Sequence, residues 1–246
     1  MEFDLLIFDW DGTLMDSERK IVACFRAACD QVGVPRLPDA HYRSIIGLGL
    51  TEAIAALFPE ADSETLARIG EGYRHAWLNA DQTPQTLFPG ARETLDWGAE
   101  QGFVLAVATG KSRRGLDRAL GESGLHARFA ATRCADETRS KPAPDMVLEL
   151  CTELAIAPER ALVIGDTDFD FDGSAVTDAC SAIGAVGNLC DVGLFRKRYR
   201  LDAVSRASLK AFRVLFVSGI RGIDHLLIEC DGFLRSPRDA TRVACE

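Results

Sequence analysis

Apolar positions along the chain take two forms, short unbroken runs and stripes at helical spacing. Residues 4–8 (DLLIF) form a run that stops at an acidic, glycine-containing turn, as a buried parallel strand does. The form recurs at 103–108 (FVLAVA), which runs into Thr109-Gly110, and at 161–164 (ALVI), which runs into Gly165-Asp166. Residues 128–133 and 180–186 are weaker strand candidates. Between the runs lie helical patterns: Leu116 and Leu120 after Ser112, and Val147, Leu150, Cys151 and Leu154 after Pro144. Pro144 suits a first helical turn, where its missing N–H would have had no intrahelical partner. Strands alternating with helices predict an α/β fold with a Rossmann-like, doubly wound parallel sheet.

Residues 16–87 break that alternation and read as helical throughout. Ile21, Phe25, Ala28, Cys29 and Val32 make an apolar stripe at helical spacing, and Gly33 is the expected stop. Further helices are expected over 39–46, 51–58 and 63–78. The pattern therefore predicts a core of residues 1–15 and 88–188 that carries an inserted all-helical domain, 16–87, with the chain returning near Phe88-Pro89-Gly90.

Composition adds exclusions. With 246 residues, 47% hydrophobic and 26% charged, the chain reads as an ordinary soluble globular protein. The first ten residues carry no basic stretch and only a four-residue apolar run before Asp9, so neither a secretory signal nor a membrane span is expected, and a cytoplasmic setting is. Eight cysteines form no CxxC pair and no histidine-associated cluster, which argues against a zinc site. A net charge of −9 opposes nucleic-acid binding. The charge is uneven, with 11 Lys+Arg against 7 Asp+Glu over 189–246. This stretch is an atypical C-terminal tail. Its residues 209–220 (LKAFRVLFVSGI) could form a basic amphipathic helix that meets a membrane or partner, or simply pack on the core or lack order. A tail unrelated to the rest, as after a reading-frame shift, is a third reading.

Four short segments carry candidate chemistry. In Asp9-Trp10-Asp11-Gly12-Thr13, both acids sit where the carboxyl end of a strand borders a ligand crevice. Asp9 can attack phosphorus as an ionised carboxylate, and Asp11 can give a proton to the leaving oxygen and later take one from water. Two acids before a glycine turn could also only cap a loop. In Thr109-Gly110-Lys111-Ser112, a hydroxyl and neighbouring backbone N–H groups can hold phosphate oxygens. A threonine entering a turn and a serine capping the next helix account for that segment equally well.

In Ser140-Lys141-Pro142-Ala143-Pro144, a stiff turn can hold a fixed ammonium near Asp9, although most lysines are solvated. Finally, Gly165-Asp166-Thr167-Asp168-Phe169-Asp170-Phe171-Asp172 crowds acids at one strand end, which oxygen ligation of Mg²⁺ would relieve. Asp166 is the best direct ligand there and Asp170 the next, with Asp168 and Asp172 read as solvated or capping.

These segments, in this order, resemble the haloacid dehalogenase superfamily over residues 3–187. The resemblance implies Asp9 as nucleophile and Asp11 as acid/base, with Thr109 and Lys141 completing the catalytic set. It implies Mg²⁺ ligation by Asp9, the backbone carbonyl of Asp11 and Asp166, with Asp170 in support. DGTLMDS and the helical insertion are similar to the phosphoglycolate phosphatase branch, whose helical cap closes over a small phosphorylated metabolite. Gly110 and Lys111, together with Gly47 and Gly49 of the cap loop, are then candidate substrate contacts. The glycine pair could equally be a plain helix-to-helix turn. The implied activity is phosphomonoester hydrolysis through an aspartyl-phosphate. A phosphomutase shares all four segments, and a phospho-accepting receiver domain is the alternative from another class. Oligomeric state is not legible.

Overall fold

The computed structural model describes residues 3–170, 180–183, 213–216 and 226–229. Five parallel strands form its central sheet: β1 (Leu5–Phe8), β4 (Val104–Thr109), β5 (Ala131–Cys134), β6 (Ala161–Gly165) and β7 (Cys180–Ile183), in the order β5-β4-β1-β6-β7. Each apolar run became a strand because both of its faces are covered. Leu6, Phe8, Leu105 and Val107 pack beneath Leu95 of α5 (Ala91–Glu100) and Leu116 and Leu120 of α6 (Arg113–Ser123). Leu5, Ile7, Ala106 and Val163 face Met146, Val147 and Leu150 of α7 (Asp145–Glu153). Alternate residues of one strand thus feed two cores, as the period-2 geometry of a strand requires.

The insertion contains α1 (Glu18–Val32), α2 (Asp39–Arg43), α3 (Leu50–Leu57) and α4 (Ser63–His75). Their apolar stripes meet one another and not the sheet: Ile21, Phe25, Ala28, Tyr42, Ile54 and Ile69 are buried in a third, separate core. Phe25 is its centre, with ring centroids 5.5 Å from Tyr42 and 4.5 Å from Tyr73. Gly33 closes α1 in the left-handed conformation, φ 84°, as its position in the sequence suggested.

Several expectations change in detail. The insertion is not helical throughout, since β2 (Met15–Asp16) and β3 (Thr86–Leu87) pair antiparallel where the chain leaves and re-enters the core. Two crossings that run side by side satisfy each other's backbone groups as a ribbon, which a helix could not do there. The helix expected over 39–46 stops at Arg43, and that over 63–78 gives way after His75 to a π-helical turn, Ala76–Ala80. Pro144 precedes α7, its carbonyl accepting the Leu148 N–H at 3.0 Å. The strand candidate at 128–133 begins later, at Ala131, because 126–128 form a 3₁₀ turn.

Of the stretch 209–220, a candidate amphipathic helix, the described residues Arg213–Phe216 are instead a strand, β8, paired antiparallel with β9 (Leu226–Glu229). Val214, which is β-branched, and Phe216, which is aromatic, favour extended backbone over helix. The remaining readings of the tail, its order and its relation to the core, lie outside the described residues. Among the described residues no helix is long and apolar enough to cross a membrane.

Phe25→Ala should lower the unfolding free energy by about 3–5 kcal/mol, the usual loss for a buried aromatic truncated to alanine. Urea denaturation followed by far-ultraviolet circular dichroism measures it, and a loss below about 1 kcal/mol would mean that the third core is not packed as described.

Candidate active site

β1 and β6 are adjacent and parallel, with Phe8 opposite Ile164, so the residues just past their carboxyl ends emerge side by side. Asp9 follows β1, its N–H donating to the Ile164 carbonyl at 2.8 Å, and Asp166 follows β6. The 3₁₀ turn Asp168–Asp170 then brings Asp170 back to the same spot. One carboxylate oxygen from each of Asp9, Asp166 and Asp170 lies within 4.8 Å of the others.

Lys141 reaches into this cluster. Its Nζ donates to Asp9 Oδ1 at 2.6 Å and to Asp170 Oδ1 at 2.5 Å. Asp170 Oδ2 accepts from the Thr167 N–H and hydroxyl, and Asp166 Oδ1 accepts from the Thr13 hydroxyl at 2.9 Å. Asp9 Oδ2 is buried without a hydrogen-bond partner among the described residues. Gly12 is needed here, since its φ is 90° and a Cβ would collide with the Asp166 carboxylate.

The electrostatics follow from crowding. Burial, resisted by the Lys141 charge and reinforced by Asp170 and Asp166, holds the Asp9 carboxyl well above its ordinary range. Burial and the charge of Asp170 push Asp166 up to about 6. Burial alone would lower the Lys141 ammonium, but the charges of Asp170 and Asp9 keep it protonated beyond its usual range. Three buried carboxylates face one ammonium. A hard divalent cation with oxygen ligands fits that imbalance, and the unpartnered Asp9 Oδ2 shows that the described side chains do not satisfy the cluster by themselves.

Asp11 sits apart from the three. Its Oδ1 accepts from the Ser17 hydroxyl at 2.6 Å, and its Oδ2 pairs with Lys111 Nζ at 2.9 Å. The side chain is therefore not a member of the carboxylate cluster, and only the Asp11 backbone carbonyl is left for the metal role that the resemblance implied. Thr109, fully buried at the end of β4, accepts the Lys111 N–H at 3.2 Å. Gly110 lies against the Leu48 carbonyl so closely that any Cβ would overlap it. Gly47 abuts Thr167, and the Gly49 N–H donates to Ser140 Oγ at 2.9 Å. The cap loop thus touches the loops after β4, β5 and β6. Lys111 is brought to Asp11, whereas it had been read only as a substrate contact. The side chain of Asp168, and all of Asp172, lie outside what the structure describes.

Ser17, Thr13 and Trp77 were not singled out in the sequence. Ser17 stands where α1 begins, but its hydroxyl makes no capping bond and turns to Asp11. Trp77 carried no local signal at all. Its ring lies under Lys111 Nζ at 4.2 Å.

The sequence profile of the haloacid dehalogenase-like hydrolases matches residues 6–182. The chain belongs to that family. It is 32% identical over 174 residues to the tyrosine-protein kinase PtkA of Mycobacterium tuberculosis, covering 70% of this chain and 58% of that protein. It is 29% identical over 173 residues to the phosphoglycolate phosphatase of Nitrosococcus oceani, covering 68% of this chain and 77% of that one. A solved haloacid dehalogenase-like protein of Bacteroides fragilis superposes with a TM-score of 0.68 at 26% identity, over 73% of this chain and 86% of the other. Phosphoglycolate phosphatases are among the family members to which the chain is similar.

A carboxyl raised from its ordinary 3.8 to about 6 contributes stability that is present below the lower value and lost as pH rises through the upper one. In chelator, the stability of the wild type relative to Asp166→Asn should therefore fall by on the order of 2–3 kcal/mol between pH 4 and pH 7. Denaturant titrations of both proteins across that range test it, and a flat difference would contradict the described crowding.

Proposed function

We propose that this chain is a Mg²⁺-dependent phosphatase that hydrolyses a small phosphomonoester through an aspartyl-phosphate on Asp9. The observation that carries this reading is the pairing of Asp9 Oδ1 with Lys141, which leaves the buried Oδ2 as the carboxylate oxygen for attack. Asp9, Asp166, Asp170 and the Asp11 backbone carbonyl would hold Mg²⁺, which when bound supplies neutralising charge to the phosphoryl oxygens.

This chain's own residues do the rest. Lys141 fixes and partly neutralises Asp9, so a phosphate dianion can approach it. Thr109 and the N–H groups of the loop after β4 orient the oxygens that are not transferred. Asp9 forms the new O–P bond while the bond to the leaving oxygen breaks, and Asp11 supplies that oxygen with a proton. Asp11 then takes a proton from water as water attacks phosphorus, and the Asp9 carboxylate is released with inorganic phosphate. The position of Asp11, beside Asp9 in sequence yet outside the carboxylate cluster, supports this role.

The cap loop rests on Gly110 and Ser140, beside the site, which supports a substrate enclosed between cap and core. Similarity to phosphoglycolate phosphatases makes phosphoglycolate the first compound to try. We read the protein as cytoplasmic, in keeping with the buried cysteines at 24, 29 and 134. A family phosphomutase would share the site, but would yield an isomer of the substrate and no inorganic phosphate.

Phosphate release should be measured across small phosphomonoesters with Mg²⁺ and with chelator. Turnover should need Mg²⁺, vanish in Asp9→Asn, and fall roughly 10²–10⁴-fold in Asp11→Asn for substrates with poor leaving groups. Metal-dependent turnover that persisted in Asp9→Asn would rule out the covalent mechanism.

A further inference from the structure

The proton-transfer residue Asp11 is held by Ser17, where the insertion begins, and by Lys111 of the core, which is itself held from the cap. Lys111 Nζ lies 2.9 Å from Asp11 Oδ2 and 4.2 Å from the centroid of Trp77. Trp77 belongs to the π-helical turn Ala76–Ala80, where the Asp81 N–H bonds to the Ala76 carbonyl at 2.8 Å. Such widened turns are uncommon inside helices and collect at functional sites. The turn is fastened on both sides. Arg118 of α6 donates to the Leu78 carbonyl at 3.2 Å, and Lys20 Nζ donates to the Asp81 carbonyl at 2.9 Å.

We propose that Trp77 is a positioning residue for proton transfer: its ring face holds the Lys111 ammonium against Asp11, so the acid is fully assembled only with the cap seated on the core. This rests on the phosphatase reading above. The physical reason for an aromatic at this position is selective. A carboxylate there would compete with Asp11 for the ammonium, and an aliphatic side chain would not direct it. A ring face attracts the cation without competing as a hydrogen-bond acceptor, so the ammonium stays directed at Asp11. Lys20 lies 5.3 Å from the same ring but is occupied by Asp81, at 3.6 Å from Oδ1, so only Lys111 connects the ring to the acid. Stacking of Trp77 on Tyr73, with centroids 5.8 Å apart, ties the ring to the cap's own core.

Leaving groups of different quality separate this role from a merely structural one. Nitrophenolate departs from phosphorus with little help from an acid, whereas phenolate needs more. In Trp77→Leu, kcat/KM with Mg²⁺ should fall about tenfold for phenyl phosphate and less than about threefold for p-nitrophenyl phosphate. Trp77→Phe should bring the ratio of the two substrates back toward wild type. If the leucine variant melts below the assay temperature, Trp77→Met, which keeps bulk without an aromatic face, should give the same split. Equal losses on both substrates, or no loss, would overturn the inference while leaving the phosphatase reading intact. A wild type without Asp9-dependent turnover would overturn both.

Discussion

Three carboxylates buried around one ammonium are the constraint on which the rest of the structure depends. Asp9 and Asp166 are forced together because β1 and β6 are adjacent, parallel and in register, and neighbouring strands run only about 4.8 Å apart. Asp170 is added by a turn, and Lys141 arrives from the loop after β5. Such an arrangement is poorly tolerated in an apolar interior unless each charge has a partner. Gly12 makes the crowding sterically feasible, and Lys141, Thr13 and Thr167 make it electrostatically bearable. The remaining excess of negative charge is the reason the site suits a divalent cation.

A second constraint is that the cap has a core of its own. Phe25, Tyr42, Ile54 and Ile69 would hold those helices together without the sheet, so the cap can meet the core through a few contacts. Those contacts are concentrated near the site: the Gly47 to Gly49 loop on three core loops, and the Trp77 turn on Lys111 and α6. The short β2–β3 ribbon carries the chain in both directions between the two cores. The acidic site at β1 and β6 and the cap are thereby built on separate cores.

Much of this was legible in the chain. Unbroken apolar runs ending in acids marked β1 and β6, because only a strand covered on both faces carries such a run. Ile21, Phe25 and Ala28 marked α1, because their spacing matches one face of a helix. The insertion was less legible at its ends. The β2–β3 ribbon involves only two residues on each side, too few to impose a period, and the π-helical turn differs from the α-helix before it by a single bond register. The run around Val214 reads as a helical stripe, yet Arg213–Phe216 pair with β9 as a strand, a partnership that no local spacing marks.

By itself, then, the amino-acid order determined the fold class, the insertion and the supply of reactive groups, because these depend on local periodicity and on which side chains end each run. Tertiary structure alone decided how those groups are paired. Lys141 meets Asp9 across 132 residues because strand order places their loops together. Ser17 leaves a helix terminus for Asp11, and Trp77 reaches Lys111 from another core. No spacing along the chain encodes such partners, since hydrogen bonds and cation–π contacts depend on distance in space.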